Sequence, residues 1–420
     1  MKKTLAMFGI PTPEQCLWAA LIFGAVYQSY RYPLQINTAG MSPSYSDTPV
    51  AFQAAKAIVI SIFCLISLFY LPKRSLSFPK WLMVILVAFM SGYPLLKIMN
   101  AGAGNSNVYL DTVFWPLAAL VLVLSTNGIS YRGLDRFFRF IFLYALLSNA
   151  VEVTLFLTIG RLPALAWADS WVVRFGGFLD DPNGFAALLF MLLGWVHVRF
   201  TGGRRFAAEA GLVLCLFLTQ SLSAIGFLLL LTVFMAFRWL IRKPILIGGI
   251  GVLIATLLSF VWSSLSSAVA AVIALRQGSI DDHLSGNTLA NLSSGLDWLF
   301  GIETYTHYES WWVGALVNFG LPWYSLFLTV MAALMWSVIV AFRGEHDCQH
   351  KAVLSGILLL SAYFVVGNAN LPFFHIFPIS FFFFCFSFLV FFGKINGDGA
   401  DAKKLPMGRP APLVSAPAKL

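Results

Sequence analysis

Long apolar runs broken by short polar punctuation dominate this chain. A helix that spans a bilayer needs about 20 predominantly apolar residues. About twelve such runs occur, near 17–34, 51–71, 81–99, 108–125, 137–160, 183–198, 208–220, 224–240, 244–265, 311–342, 351–371 and 377–393. The seventh and eighth are short and joined tightly through Ser221, Leu222 and Ser223. They read either as two spans or as one bent hairpin that does not fully cross. Gly320-Leu321-Pro322 interrupts the tenth run, so 309–319 reads as a short helix ahead of the true span. Polar residues gather in two connections, 161–182 and 266–310, and loops of that length in a compact protein are usually functional. After residue 393 the chain turns Gly-, Pro- and Ala-rich. The pattern predicts an all-α polytopic membrane protein: one transmembrane domain over 1–393, then a disordered cytoplasmic tail over 394–420.

Composition removes the soluble alternatives. Hydrophobic residues make up 59% of the 420 and charged residues 11%, against about 45–50% and 25% in soluble domains. That excludes a soluble enzyme, a disordered chain and a nucleic-acid binder that folds in water. The net charge of +9 therefore reads as a topology signal, because basic residues collect in cytoplasmic loops. With both termini inside, Lys73, Arg74, Lys80, Arg132, Arg136, Arg139, Arg199, Arg204, Arg205, Arg238, Arg242, Lys243, Arg343 and Lys351 all fall in inner loops. Six basic residues break the pattern: Arg31, Lys56, Lys97, Arg161, Arg174 and Arg276. Lys2 and Lys3 open the chain without a small-residue cleavage site, so the first helix is expected to be retained. Cys16, Cys64, Cys215, Cys348 and Cys385 all fall in helices or on the inner side, so no disulfide framework is expected. No CxxC, HExxH, phosphate loop or GxGxxG precedes a helix, and no metal or other cofactor is expected.

The outer loops hold the candidate chemistry. Arg174 precedes Gly176-Gly177 and Asp181-Pro182-Asn183. Asp181 suits an N-cap and Pro182 the first helical position. Arg174 beside that helix start suits an anion such as a diphosphate, or equally a lipid headgroup. Arg276 offers a bidentate fork to phosphate, or an ion pair to Asp281 or Asp282. His307 and Glu309 form a close His–carboxylate pair on the outer side. Either can take a proton from a sugar hydroxyl; alternatively they are a solvated histidine and a carboxylate favoured by a helix dipole. Trp167, Trp171, Trp298, Trp311 and Trp312 suit an aromatic belt or a sugar-stacking groove. His375, in a short outer turn, faces either the same cavity or a backbone hydrogen bond. Glu152, inside the fifth run, is an intramembrane carboxylate. It pairs with Lys97 or Lys56 or titrates neutral, and both lysines alternatively snorkel to the interface.

Three stretches carry a family resemblance: Arg174…Gly177…Asp181-Pro182-Asn183-Gly184, then Leu218-Thr219-Gln220-Ser221-Leu222-Ser223-Ala224-Ile225-Gly226, then Leu299-Phe300-Gly301-Ile302 with Glu309-Ser310 and Asn318-Phe319-Gly320-Leu321-Pro322. Over about 130–345 the chain resembles the Wzy-type polysaccharide polymerases and the O-antigen ligases of bacterial inner membranes. It departs from them in having Ser221-Leu222-Ser223 where Ser-Arg-Gly is usual, and no arginine around Leu284. Ligases generally have His-Asn or His-Ser where this chain has Glu309-Ser310, which favours the polymerase.

The resemblance implies a GT-C-like helical glycosyltransferase with a long periplasmic loop, working without metal at the periplasmic face. Donor and acceptor would both be glycans on undecaprenyl diphosphate. Glu309 or His307 would act as base and Arg174 and Arg276 would hold the diphosphate. Asp181, Asn183, His375 and Trp311 would lie about the cavity, and a flippase and a chain-length regulator would be partners. A ligase transferring the glycan to another acceptor, and a transporter or flippase, are the alternatives.

Overall fold

The computed structural model describes residues 10–27, 50–71, 76–101, 106–159, 166–169, 172–179, 181–240, 292–302, 311–367 and 377–396. In chain order the helices are α1 (Pro13–Val26), α2 (Val50–Leu68), α3 (Phe78–Ala101), α4 (Ser106–Ser125), α5 (Tyr131–Ile159), α6 (Pro182–Arg199), α7 (Gly202–Thr219) and α8 (Leu222–Leu240). They continue with α9 (Gly295–Phe300), α10 (Trp311–Gly344), α11 (Cys348–Ala362), a π-turn (Tyr363–Gly367) and α12 (Ile379–Phe391). Among the described residues four segments are long and apolar enough to cross a membrane: Phe78–Lys97, Tyr131–Thr158, Gly314–Gly344 and Cys348–Val365. Shorter apolar helices accompany them, and large apolar side chains such as Phe89, Leu143, Leu147 and Phe234 point away from the protein. The chain is an all-α membrane protein. The expected span at 244–265 and the outer loop from 266 to 291 lie outside the described residues.

The core is built on two helices that are apolar all round, as helices surrounded by protein must be. In α12 every residue from Ile379 to Leu389 is buried. Its phenylalanines meet Phe364, Phe137 and Phe138, the first as a stack at 4.1 Å. The second is α6, which runs along α11. A Cβ on Gly194 would lie 2.5 Å from the Ser355 carbonyl oxygen, and one on Gly356 would lie 2.9 Å from that of Met191. Glycine on both sides lets these backbones touch, the small-residue packing used between membrane helices.

The contacts sort the helix ends into two faces. At one, Lys80 Nζ donates to the Phe392 carbonyl at 2.8 Å and Lys394 Nζ to that of Thr126 at 2.7 Å. There β1 (Ile129–Ser130) pairs in parallel with β4 (Ile395–Asn396). Residues 394–396, expected to begin a disordered tail, are thus built into the bundle, because β1 supplies a strand edge for them. The same face holds Asp135, almost wholly buried. Its Oδ1 accepts from Trp195 Nε1 and Arg199 Nε at 2.9 and 3.0 Å. Its Oδ2 accepts from Arg139 Nη2 and Gln349 Nε2 at 3.2 and 3.3 Å. These are the loops that the positive-inside rule groups together. The end of α3, the starts of α6, α8, α10 and α12 and the π-turn after α11 form the opposite face.

That opposite face holds a hairpin that the apolar pattern did not predict. Strands β2 (Ala166–Asp169) and β3 (Val172–Phe175) pair antiparallel, with Trp167 opposite Arg174. The seventh helix is also longer than expected, starting at Gly202 instead of 208, because its polar first turn sits outside the apolar run.

Candidate functional site

The site begins at the α6 start. Asp181 is the N-cap, and its carboxylate accepts from the Asn183 N–H at 3.1 Å and the Gly184 N–H at 2.8 Å. Pro182 fills the first helical position. The cap agrees with the sequence expectation and also corrects part of it. The helix end already holds its own carboxylate, so an arriving anion would not find those two N–H groups open. Burial pushes the Asp181 carboxyl above the usual aspartate range, while the Arg174 guanidinium and the two N–H groups act against that shift.

Arg174, next to last in β3, reaches across to two elements. Its Nε donates to the Thr219 carbonyl at 3.1 Å and its Nη2 to Asn183 Oδ1 at 3.1 Å. Asn183 Oδ1 also accepts from Ser221 Oγ at 2.6 Å. From there a chain of hydroxyls continues through Ser223 Oγ at 3.0 Å to Tyr363 OH at 3.3 Å. Gln220 makes this possible: it takes a left-handed conformation (φ 47°) that ends α7 and turns the chain into α8. The stretches at 174–184 and 218–226, about forty residues apart, therefore share one hydrogen-bonded cluster. Tyr363 opens the π-turn, a local widening of the helix that recurs at functional sites. No sequence motif marked Tyr363, which sits in an unbroken apolar run.

A second junction forms around the third stretch. Gly301 (φ 71°) and Gly320 (φ 78°) lie back to back, and Ile302 N donates to the Val317 carbonyl at 2.9 Å. Lys97 Nζ donates to the carbonyls of Ile302 and Asn318 at 2.9 and 2.6 Å. Tyr93 OH donates to the Phe300 carbonyl, and Trp323 Nε1 to that of Met90 at 2.7 Å. These contacts hold α9 against α3 and α10. The break expected at Gly320 is present, as non-helical backbone inside α10.

Lys97 is not the partner of Glu152. Its ammonium goes to the Ile302 and Asn318 carbonyls, and Lys56 lies over the Trp115 ring at 5.7 Å. Glu152 Oε2 instead accepts the Gly177 N–H at 2.8 Å. The loop backbone gives the carboxylate a neutral donor where a lysine was expected.

Of the sequence candidates, Arg174, Asp181 and Asn183 come together. Trp311 opens α10, and its side chain is not described. Arg276, His307, Glu309 and His375 lie outside the described residues. Among the described residues no group of three or more His, Cys, Asp or Glu side chains could hold a metal ion. The sequence matches no known family model and no curated protein.

Proposed function

We propose that the protein is a polysaccharide polymerase of the bacterial inner membrane, joining glycan repeat units carried on undecaprenyl diphosphate. In this reading the chain has about twelve spans in a GT-C-like arrangement, and the Arg174 cluster faces the periplasm. Support comes from the cluster itself. Two of the three stretches that carry the family resemblance meet in one polar site, at the end of the bundle opposite the main concentration of basic loops.

Glu309 or His307 takes the proton from the acceptor hydroxyl. That oxygen forms a bond to the anomeric carbon of the donor glycan, and the bond from that carbon to the diphosphate oxygen breaks. The lipid diphosphate leaves with the electron pair. Arginines stabilise the charge that grows on it, an effect worth about 10²–10³-fold in rate per well-placed donor. The diphosphate takes its second arginine, Arg276, from the long loop.

The test is reconstitution of the purified protein in proteoliposomes with a defined lipid-linked repeat, reading product length on a gel. A ladder of lengthened products is expected from the wild type. Arg174→Ala and Arg276→Ala should give none at unchanged yield and melting temperature. Normal ladders from both variants would reject the diphosphate role. Movement of lipid-linked sugar across the bilayer without lengthening would favour a flippase, and transfer to a lipid A core alone would favour a ligase.

A further inference from the structure

Most buried polar groups outside the site are either fully engaged, like Asp135, or small groups among apolar helices, such as Ser67, Ser91 and Ser387. Glu152 differs from both. It is wholly buried in α5, where a carboxylate is expensive to keep. Among the described residues it makes no ion pair, and its Oε1 has no hydrogen-bond partner. Its one bond is the Gly177 N–H to Oε2 at 2.8 Å.

We infer that Glu152 is a positioning residue for the Arg174 cluster, an inference that rests on the proposed function. The segment 175–178 lies antiparallel along α5. Phe156 receives Phe175 edge-on at 5.9 Å, Glu152 receives Gly177, and Tyr144 stacks on Phe178 at 4.5 Å. The two ring contacts are non-directional enough to slide. The hydrogen bond is not, since it weakens steeply with distance and angle, so it fixes the register of the loop on the helix.

Gly177 is the residue that allows this bond. It sits at φ +59°, and a Cβ there would lie 2.3 Å from the Phe185 ring on α6. The loop thus threads between α5 and α6 with no room for a side chain. Arg174 stands three residues before the fixed point and Asp181 four after it. A slip of one residue, about 3.3 Å in extended chain, would carry the guanidinium out of reach of Thr219 and Asn183. The bond needs an acceptor of this length at position 152; an aliphatic side chain of equal size leaves the Gly177 N–H buried and unpaired.

The test compares Glu152→Gln and Glu152→Leu with wild type, each full length and in nanodiscs, by hydrogen exchange over 172–181 and by chain extension. Gln keeps an acceptor oxygen, so its loop protection and its extension rate should stay within about threefold of wild type. Leu should melt like wild type yet exchange over 172–181 at least about tenfold faster and lose extension. If Leu fails to fold, Glu152→Ala is read in its place. Wild-type protection in the leucine or alanine variant, or a glutamine variant that exchanges as fast as they do, overturns the positioning role. Hydrogen exchange needs no polymerase activity, so wild-type protein that never lengthens substrate rejects the functional reading and leaves the exchange result standing.

Discussion

Gly320→Ala puts the junction of α9 with α10 under direct test. Gly301 and Gly320 both have ψ near 170° with positive φ, a region reserved almost wholly for glycine and costing about 1–3 kcal/mol for other residues. A Cβ on Gly320 would also lie 2.4 Å from the Leu299 carbonyl oxygen and 2.8 Å from the Gly301 nitrogen. These are backbone atoms and cannot swing aside, so overpacking adds about 1–3 kcal/mol. The combined strain is about 2–6 kcal/mol. Against it stand the bonds that hold α9: Ile302 to Val317, Tyr93 to Phe300 and Lys97 to Ile302. At about 1 kcal/mol for each neutral bond and 1.5–3 for the charged one, they total about 3.5–5 kcal/mol. The two sides nearly balance, so α9 should come off while the α6–α11 core stays folded. Limited proteolysis and hydrogen exchange over 292–302 should both show the release, with α6 and α11 still protected. Gly92→Ala is the control, because nothing lies within 4 Å of its Cβ position, and it should leave 292–302 unchanged. Wild-type protection of 292–302 in Gly320→Ala would refute the reasoning.

Two further predictions concern the basic face. Asp135→Ala strands Trp195 Nε1 and Arg199 Nε. It should cost about 3 kcal/mol, the low end for breaking a buried pair because Arg199 is partly exposed. A fall in melting temperature in detergent measures this, and Asp135→Asn should fall less. Asp347 caps α11 by accepting from the Gln349 and His350 N–H groups, each at 2.9 Å; Asp347→Ala should cost about 1 kcal/mol. The His350 N–H, more than any other group, holds the Asp347 carboxyl below the usual aspartate range. A depressed folded-state value means that the cap's contribution is complete above the ordinary aspartate pKa and disappears as pH falls through the depressed one. The melting-temperature gap between wild type and Asp347→Ala should therefore be full at neutral pH and close in strong acid.

What the sequence could convey follows from what its patterns encode. Apolar runs and the spacing of Lys and Arg record how each helix meets solvent and lipid, so α3, α5, α10 and the grouping of the basic ends were predictable. Caps and breaks are local chemistry, so Asp181-Pro182 and Gly320 could be read directly. Partners across the bundle are a different matter. Glu152 looked like a candidate for Lys97 because both are costly charges in apolar runs. Which way each points around its helix is set by tertiary packing, and that sent Lys97 to the carbonyls at the Gly320 break and Glu152 to Gly177. The β2–β3 hairpin escaped for a related reason: the two tryptophans at 167 and 171 read as interface anchors, and pairing between strands leaves no apolar periodicity of its own. Tyr363 was invisible because its meaning lies in the hydroxyls of another helix.

The anchoring of α6 has a mechanical consequence. One end is tied through Asp181 and Asn183 to the polar cluster, the other through Trp195 to Asp135. The rod between the ties is about 21 Å long at 1.5 Å per residue, and Gly194 seats it directly on the α11 backbone. A piston stroke would shear both ties at once, so α6 behaves as a fixed strut and its polar tip as a stationary anvil. Any travel within the bundle then falls to elements other than α6.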